Sequence, residues 1–60
     1  MNIKQMTKEI KDKYTSIPEK QVSPGIYIYT VGRKHITLLN TIDETRLTKI
    51  PIKDFYYKYI

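Results

Sequence analysis

Residues 26–31 read Ile-Tyr-Ile-Tyr-Thr-Val, six consecutive β-branched or aromatic positions. Such side chains pack well on a pleated surface and lose χ1 freedom in a helix. After Gly32-Arg33 comes a second run, Lys34-His35-Ile36-Thr37-Leu38-Leu39. Two extended runs around a two-residue, glycine-first loop predict an antiparallel hairpin over residues 26–39. The expected turn is type II′, in which glycine takes positive φ at no Cβ cost. That turn sets Val31 opposite Lys34, Thr30 opposite His35 and Ile28 opposite Thr37. One face then carries Ile26, Ile28, Thr37 and Leu39, and the other Tyr27, Tyr29, Val31, Ile36 and Leu38. Both faces are apolar, so both are expected to be covered, one by a helix and the other by the curl of the sheet.

The helix is supplied by residues 3–14. Ile3, Met6, Ile10 and Tyr14 recur at spacings of three, four and four, one stripe of a 3.6-residue period. Asn2 suits the N-cap, and Gln5 stands three residues on, where a capping box places its Glu or Gln. Glu9 and Lys13 form a favourable i,i+4 pair and Lys4 and Lys8 a like-charge one, each worth tenths of a kcal/mol. Pro18 stops the helix, and a loop over 15–24 ends in the turn signal Pro24-Gly25. Residues 41–46 are polar and read as a turn. Residues 47–53 read as a third strand with Ile50 and Ile52 on one face; Pro51 removes a ladder donor, so the strand is at an edge or bends there. The tail, residues 54–60, is aromatic at four of seven positions and reads as a fourth strand or extended end, favoured by the β-propensity of Phe and Tyr, or as a helical turn capped by Asp54.

These pieces form one domain over 1–60, of α+β class. An N-terminal helix packs on a small curled antiparallel sheet of three to four strands, close to an SH3-like, partly open barrel. The chain has no cysteine, so neither a disulfide nor a thiolate zinc site can reinforce it. A domain of this size buries only about 60% of the surface of its unfolded chain. No stretch approaches the roughly 18 apolar residues of a membrane span, and the N-terminus lacks the apolar segment of a secretory signal. A cytoplasmic, reducing location is the expectation.

The residues Val31, Gly32, Arg33 and Lys34, with His35 at an aromatic position, resemble a hairpin of small β-barrel proteins encoded by bacteriophages. The resemblance implies a barrel and a phage or mobile-element type of protein, without a uniform function. Gly32-Arg33-Lys34-His35 and Ile50-Pro51 are similar to stretches of HicA-type messenger-RNA-cleaving toxins. Those have a helix–three-strand–helix fold like a double-stranded-RNA-binding domain. This chain lacks the serine of their Gly-Ser-x-His stretch and a full C-terminal helix, and it has a long loop before its first strand.

Eleven Lys and Arg against six Asp and Glu give a net charge of +5. A positive surface attracts phosphates through release of counterions. Arg33 and Lys34 stand at the expected hairpin tip; Arg46, Lys49, Lys53 and Lys58 follow on the third strand and tail. In an extended strand Lys49 and Lys53 share the outward face. Tyr56, Tyr57 and Tyr59 beside Lys53 and Lys58 suit base stacking or a protein contact. These nine residues are the expected binding surface. The partner is nucleic acid or a nucleic-acid-handling protein, with neither membrane, metal nor cofactor involved. An exposed edge strand could also pair with a copy of the chain. The alternative is a phage-type protein inhibitor of a host defence nuclease or nucleoprotein. A second alternative is a small ribonuclease toxin with His35 as general base. His35 is the one histidine, the residue type suited to acid–base work near neutrality, but no carboxylate is placed to orient it. The expectation is therefore binding without catalysis. Asp43-Glu44 and Asp54 show no ligand spacing and read as solvated charges.

Overall fold

Asn2 opens the first helix: its side-chain Oδ1 accepts from the backbone N–H of Gln5 at 2.8 Å. The computed structural model describes residues 2–60; Met1, the first residue of the expected domain, lies outside the described residues. Helix α1 spans Ile3–Thr15 and buries Met6, Ile10 and Tyr14, three members of the stripe read from the sequence. A short 3-10 turn, Pro18–Lys20, leads into strand β1 (Gln21–Ser23). Strands β2 (Ile26–Val31), β3 (His35–Asn40) and β4 (Arg46–Pro51) follow. Helix α2 (Ile52–Tyr59) ends the chain. The strands form one antiparallel sheet in the order β1-β2-β3-β4, so the α+β reading holds and the sheet is open, with β1 and β4 as its edges. The expected loop over 15–24 contains both the 3-10 turn and the first strand.

The hairpin is present with a different register. Gly32 N–H donates to the His35 carbonyl at 2.8 Å, which puts Arg33 and Lys34 at the reversal. Gly32 does not adopt positive φ; among the glycines that is Gly25, at 81° in the β1–β2 turn. Val31 therefore pairs with Ile36 and Thr30 with Thr37, where Lys34 and His35 were expected. Beyond Thr30 the register shifts once more, so that Ile28 pairs with Leu38 and Tyr27 with Leu39. Tyr29 is the extra residue of this β-bulge. The shift has a packing reason. It aligns Ile28, Val31, Ile36 and Leu38 on one face, where the expected register divides them between two.

The tail is the second correction. Residues 52–59 are helical, and the strand expected over 47–53 ends at Pro51. Proline fixes φ near −65° and needs no donor, which suits the start of a helix. Asp54 in the first turn and Lys58 in the last favour the helix dipole. Ile52, Phe55, Tyr56 and Tyr59 then fall on one side at a 3.6-residue period. Ile52 and Phe55 are fully buried, together with Ile10 and Ile36. Phe55 meets Tyr14 edge-on, with ring centroids 5.9 Å apart, and Tyr59 at 4.8 Å.

The core is thus Met6, Ile10 and Tyr14 from α1, Ile28, Ile36 and Leu38 from the sheet, and Ile52 and Phe55 from α2. Both helices lie on this one side of the sheet. The helix side of the expected covering is present; on the other face, which has no helix over it, Tyr27, Thr37 and Leu39 are half-buried and Thr30 is exposed. No buried side-chain polar atom among the described residues lacks a hydrogen-bond partner.

Candidate nucleic-acid interface

Lys4, Lys8 and Lys11 follow one another at spacings of four and three, so α1 presents them as a single stripe beside its buried face. They line one wall of a groove, and the other wall is the end of the β2–β3 hairpin, with Val31, Gly32 and Arg33. Ile3 and Thr7 add to the helix wall, and Asp12 is the single acid among the lining residues. A smaller crevice lies beside it between α1 and β2, sharing Lys11 and Val31 and adding Lys20. Four cations thus border the groove, and Lys20 stands with Lys11 at the crevice.

This arrangement runs against local helix stability. Lys4 sits in the first turn, at the positive end of the helix dipole, and that turn holds no acid. Its i,i+4 neighbour Lys8 has the same sign, and Lys11 follows on the same stripe. Each like-charge neighbour costs a few tenths of a kcal/mol, about what a favourable pair would contribute. Lys20 reaches the crevice from a strained backbone: Glu19 and Lys20 have φ of 58° and 53°. Non-glycine residues in this region cost roughly 1–2 kcal/mol each. Departures from local preference concentrate where a surface has another task.

The nine residues expected from the sequence do not form one patch. Arg33 is in the groove. Lys34 and Lys53 join it at the same end of the molecule, because the N–H of Ile52 donates to the Lys34 carbonyl at 2.9 Å. Lys49 pairs with Thr37 and stands on the open face of the sheet, not beside Lys53 as an extended strand would place it. Arg46 pairs with Asn40 at the far end of β4, roughly 17 Å along the strand from Pro51.

The tyrosines of α2 serve mainly the fold. Tyr59 packs on Phe55, with the Lys58 Nζ 5.3 Å from its ring centroid. Lys13 Nζ donates to the Tyr59 carbonyl at 3.0 Å, tying α1 to the end of α2. The Tyr56 hydroxyl donates to the Glu9 carboxylate at 3.2 Å. Its pKa lies above the usual tyrosine value, first through loss of solvent and then through this bond and the Glu9 charge. Tyr57 alone of the three is freely exposed, edge-on to Tyr56 at 5.6 Å. Sequence reasoning missed the groove because it treated Lys4, Lys8 and Lys11 as helix surface charge. Their 4-3 spacing beside the Met6/Ile10/Tyr14 stripe is the signal that locates them.

His35 is exposed and paired with Pro51, which offers no carboxylate to orient an imidazole. Among the described residues no group of three or more His, Cys, Asp or Glu could hold a metal ion, and no helix is long and apolar enough to cross a membrane. No protein-family model, curated protein or solved structure matches the chain.

Proposed function

We propose that the protein is a small, non-enzymatic nucleic-acid-binding protein whose phosphate-binding surface is the groove between α1 and the tip of the β2–β3 hairpin. The observation that carries this reading is the meeting of Lys4, Lys8 and Lys11 with Arg33 across one channel. A cluster of like charges that weakens its own helix becomes favourable once phosphates replace condensed counterions. Lys34 and Lys53 extend the positive end beyond the groove. The Val31-Gly32-Arg33-Lys34 hairpin agrees with a phage or mobile-element type of protein.

Fluorescence anisotropy with a labelled oligonucleotide tests the proposal. The variant Lys4→Gln/Lys8→Gln/Lys11→Gln/Arg33→Gln should lose nearly all affinity. The variant Arg46→Gln/Lys58→Gln carries two of the same substitutions outside the groove and should bind as the parent does. Equal loss in both variants would reduce the groove to bulk charge and refute the reading.

A second reading, the ribonuclease toxin, gains one observation. Helix α2 gives the chain a helix–sheet–helix order, longer than the single helical turn the tail suggested. Its test is His35→Ala: RNA cleavage by the parent that disappears in the variant would establish it over binding alone.

A further inference from the structure

The sheet face away from the helices carries two cross-strand rows. Tyr27–Leu39–Leu47 crosses three strands, and Thr30–Thr37–Lys49 runs beside it. Tyr29, the unpaired residue of the β2 bulge, is 59% exposed. A bulge bends its strand and re-aims a side chain; here two successive residues, Tyr29 and Thr30, are both turned to solvent. Among the described residues the ring–ring contacts join Tyr14, Phe55, Tyr56, Tyr57 and Tyr59. The rings of Tyr27 and Tyr29 have no aromatic partner.

Charge and area select the occupant of this face. None of the four strands contains an Asp or Glu, and Lys49 stands on the open side. A second copy placed face to face would bring two chains of net charge +5 together. An anionic ligand reverses that sign. Strands about 4.8 Å apart and about 20 Å long give the sheet a planar footprint of roughly 300 Å². A few nucleic-acid bases fit within that area, and bases stack on aromatic rings whatever their sequence. In a duplex the bases are stacked on each other and their faces are not free.

We infer that the open sheet face, through Tyr27 and Tyr29, stacks the unpaired bases of single-stranded nucleic acid. Arg33, two residues beyond the end of β2, lines the groove and links this face to the phosphate-binding surface. The inference rests on the nucleic-acid reading above and specifies its ligand as single-stranded.

The test compares a 12-nucleotide single strand with the corresponding 12-base-pair duplex by fluorescence anisotropy, for the parent, Tyr29→Ala and Tyr29→Phe. Tyr29 is exposed, and circular dichroism checks that each variant keeps the fold. The parent should bind the single strand at least about ten-fold more tightly than the duplex. Tyr29→Ala should lose on the order of ten-fold on the single strand and little on the duplex, and Tyr29→Phe should restore the parent value. Equal affinity for the two ligands, with Tyr29→Ala neutral, overturns the inference. The groove reading then stands or falls separately, by the lysine and arginine variant. Sedimentation showing a dimer that Leu47→Lys dissolves would put a second copy on the face and likewise overturn it.

Discussion

The backbone N–H of Ile52 donates to the carbonyl of Lys34 at 2.9 Å, joining the first residue of α2 to the hairpin tip. The hairpin end is thereby held by α2 through this bond, while α1 faces it across the groove. The cations at that end are displayed on a supported loop rather than a free one.

The hold depends on α2 remaining folded, which its buried side chains secure. Phe55→Ala removes a fully buried ring that touches Tyr14 and Tyr59. Large-to-small changes of this kind cost about 3–5 kcal/mol. A 60-residue domain at ordinary stability per residue has roughly 3–9 kcal/mol in total. Urea unfolding followed by circular dichroism should show Phe55→Ala at or near the edge of folding, with Tyr57→Ala, at an exposed position, close to the parent.

The strained turn before β1 yields a prediction of the opposite sign. Glu19 holds φ of 58°, a region glycine enters without cost. Glu19→Gly should raise stability by about 0.5–1 kcal/mol, because relief of strain outweighs the added freedom of the unfolded chain. Gly25→Ala should do the reverse. Gly25 sits at 81°, and a Cβ there would lie 2.9 Å from the Ile42 side chain. Thermal midpoints of the two variants, one above and one below the parent, are the expected outcome.

Alkaline pH should weaken the fold, in part through Tyr14. Its phenol titrates above the usual value of 10.0, first because it is buried and second because Tyr59 is near. The folded state favours the protonated form. This contribution is complete below the unfolded pKa near 10 and disappears as pH rises through the higher folded value. Stability should therefore decline from about pH 10 upward. Tyr14→Phe keeps the ring against Phe55 and removes the titrating group, so its alkaline transition should move to higher pH.

Part of this structure was legible before any coordinates. The α1 stripe, the Asn2 cap, the Pro24-Gly25 turn and the strand run of residues 26–31 are local signals, and each is where its residues put it. The hairpin register was not legible. Gly32-Arg33 satisfies the rule for a two-residue turn, but packing overrides that preference to align Ile28 with Leu38 and Ile36. The tail misled for a similar reason. Its aromatic content favours a strand, whereas the spacing of Ile52, Phe55, Tyr56 and Tyr59 is helical and Pro51 suits a helix start. Of the binding surface, Arg33 and Lys34 were visible at the hairpin tip. The lysines of α1 became a candidate only when the fold set them opposite Arg33.

Stability and binding should be uncoupled at Lys8. Lys8→Gln removes a charge that repels Lys4 and Lys11 but attracts Asp12 four residues on, so stability should stay within a few tenths of a kcal/mol of the parent. The same change removes a phosphate contact and should weaken oligonucleotide binding. A variant weaker in both respects would mean that Lys8 has a packing role instead.

The salt dependence of oligonucleotide affinity tests the central claim most directly. With the four groove cations, or these and Lys20, on phosphates of a single strand, log K should fall against log salt with a slope of about −3. Affinity should drop by roughly 50- to 130-fold between 50 and 200 mM salt, and the slope should flatten towards zero in the Lys4/Lys8/Lys11/Arg33 variant. A parent affinity that is unchanged across that range would contradict the account.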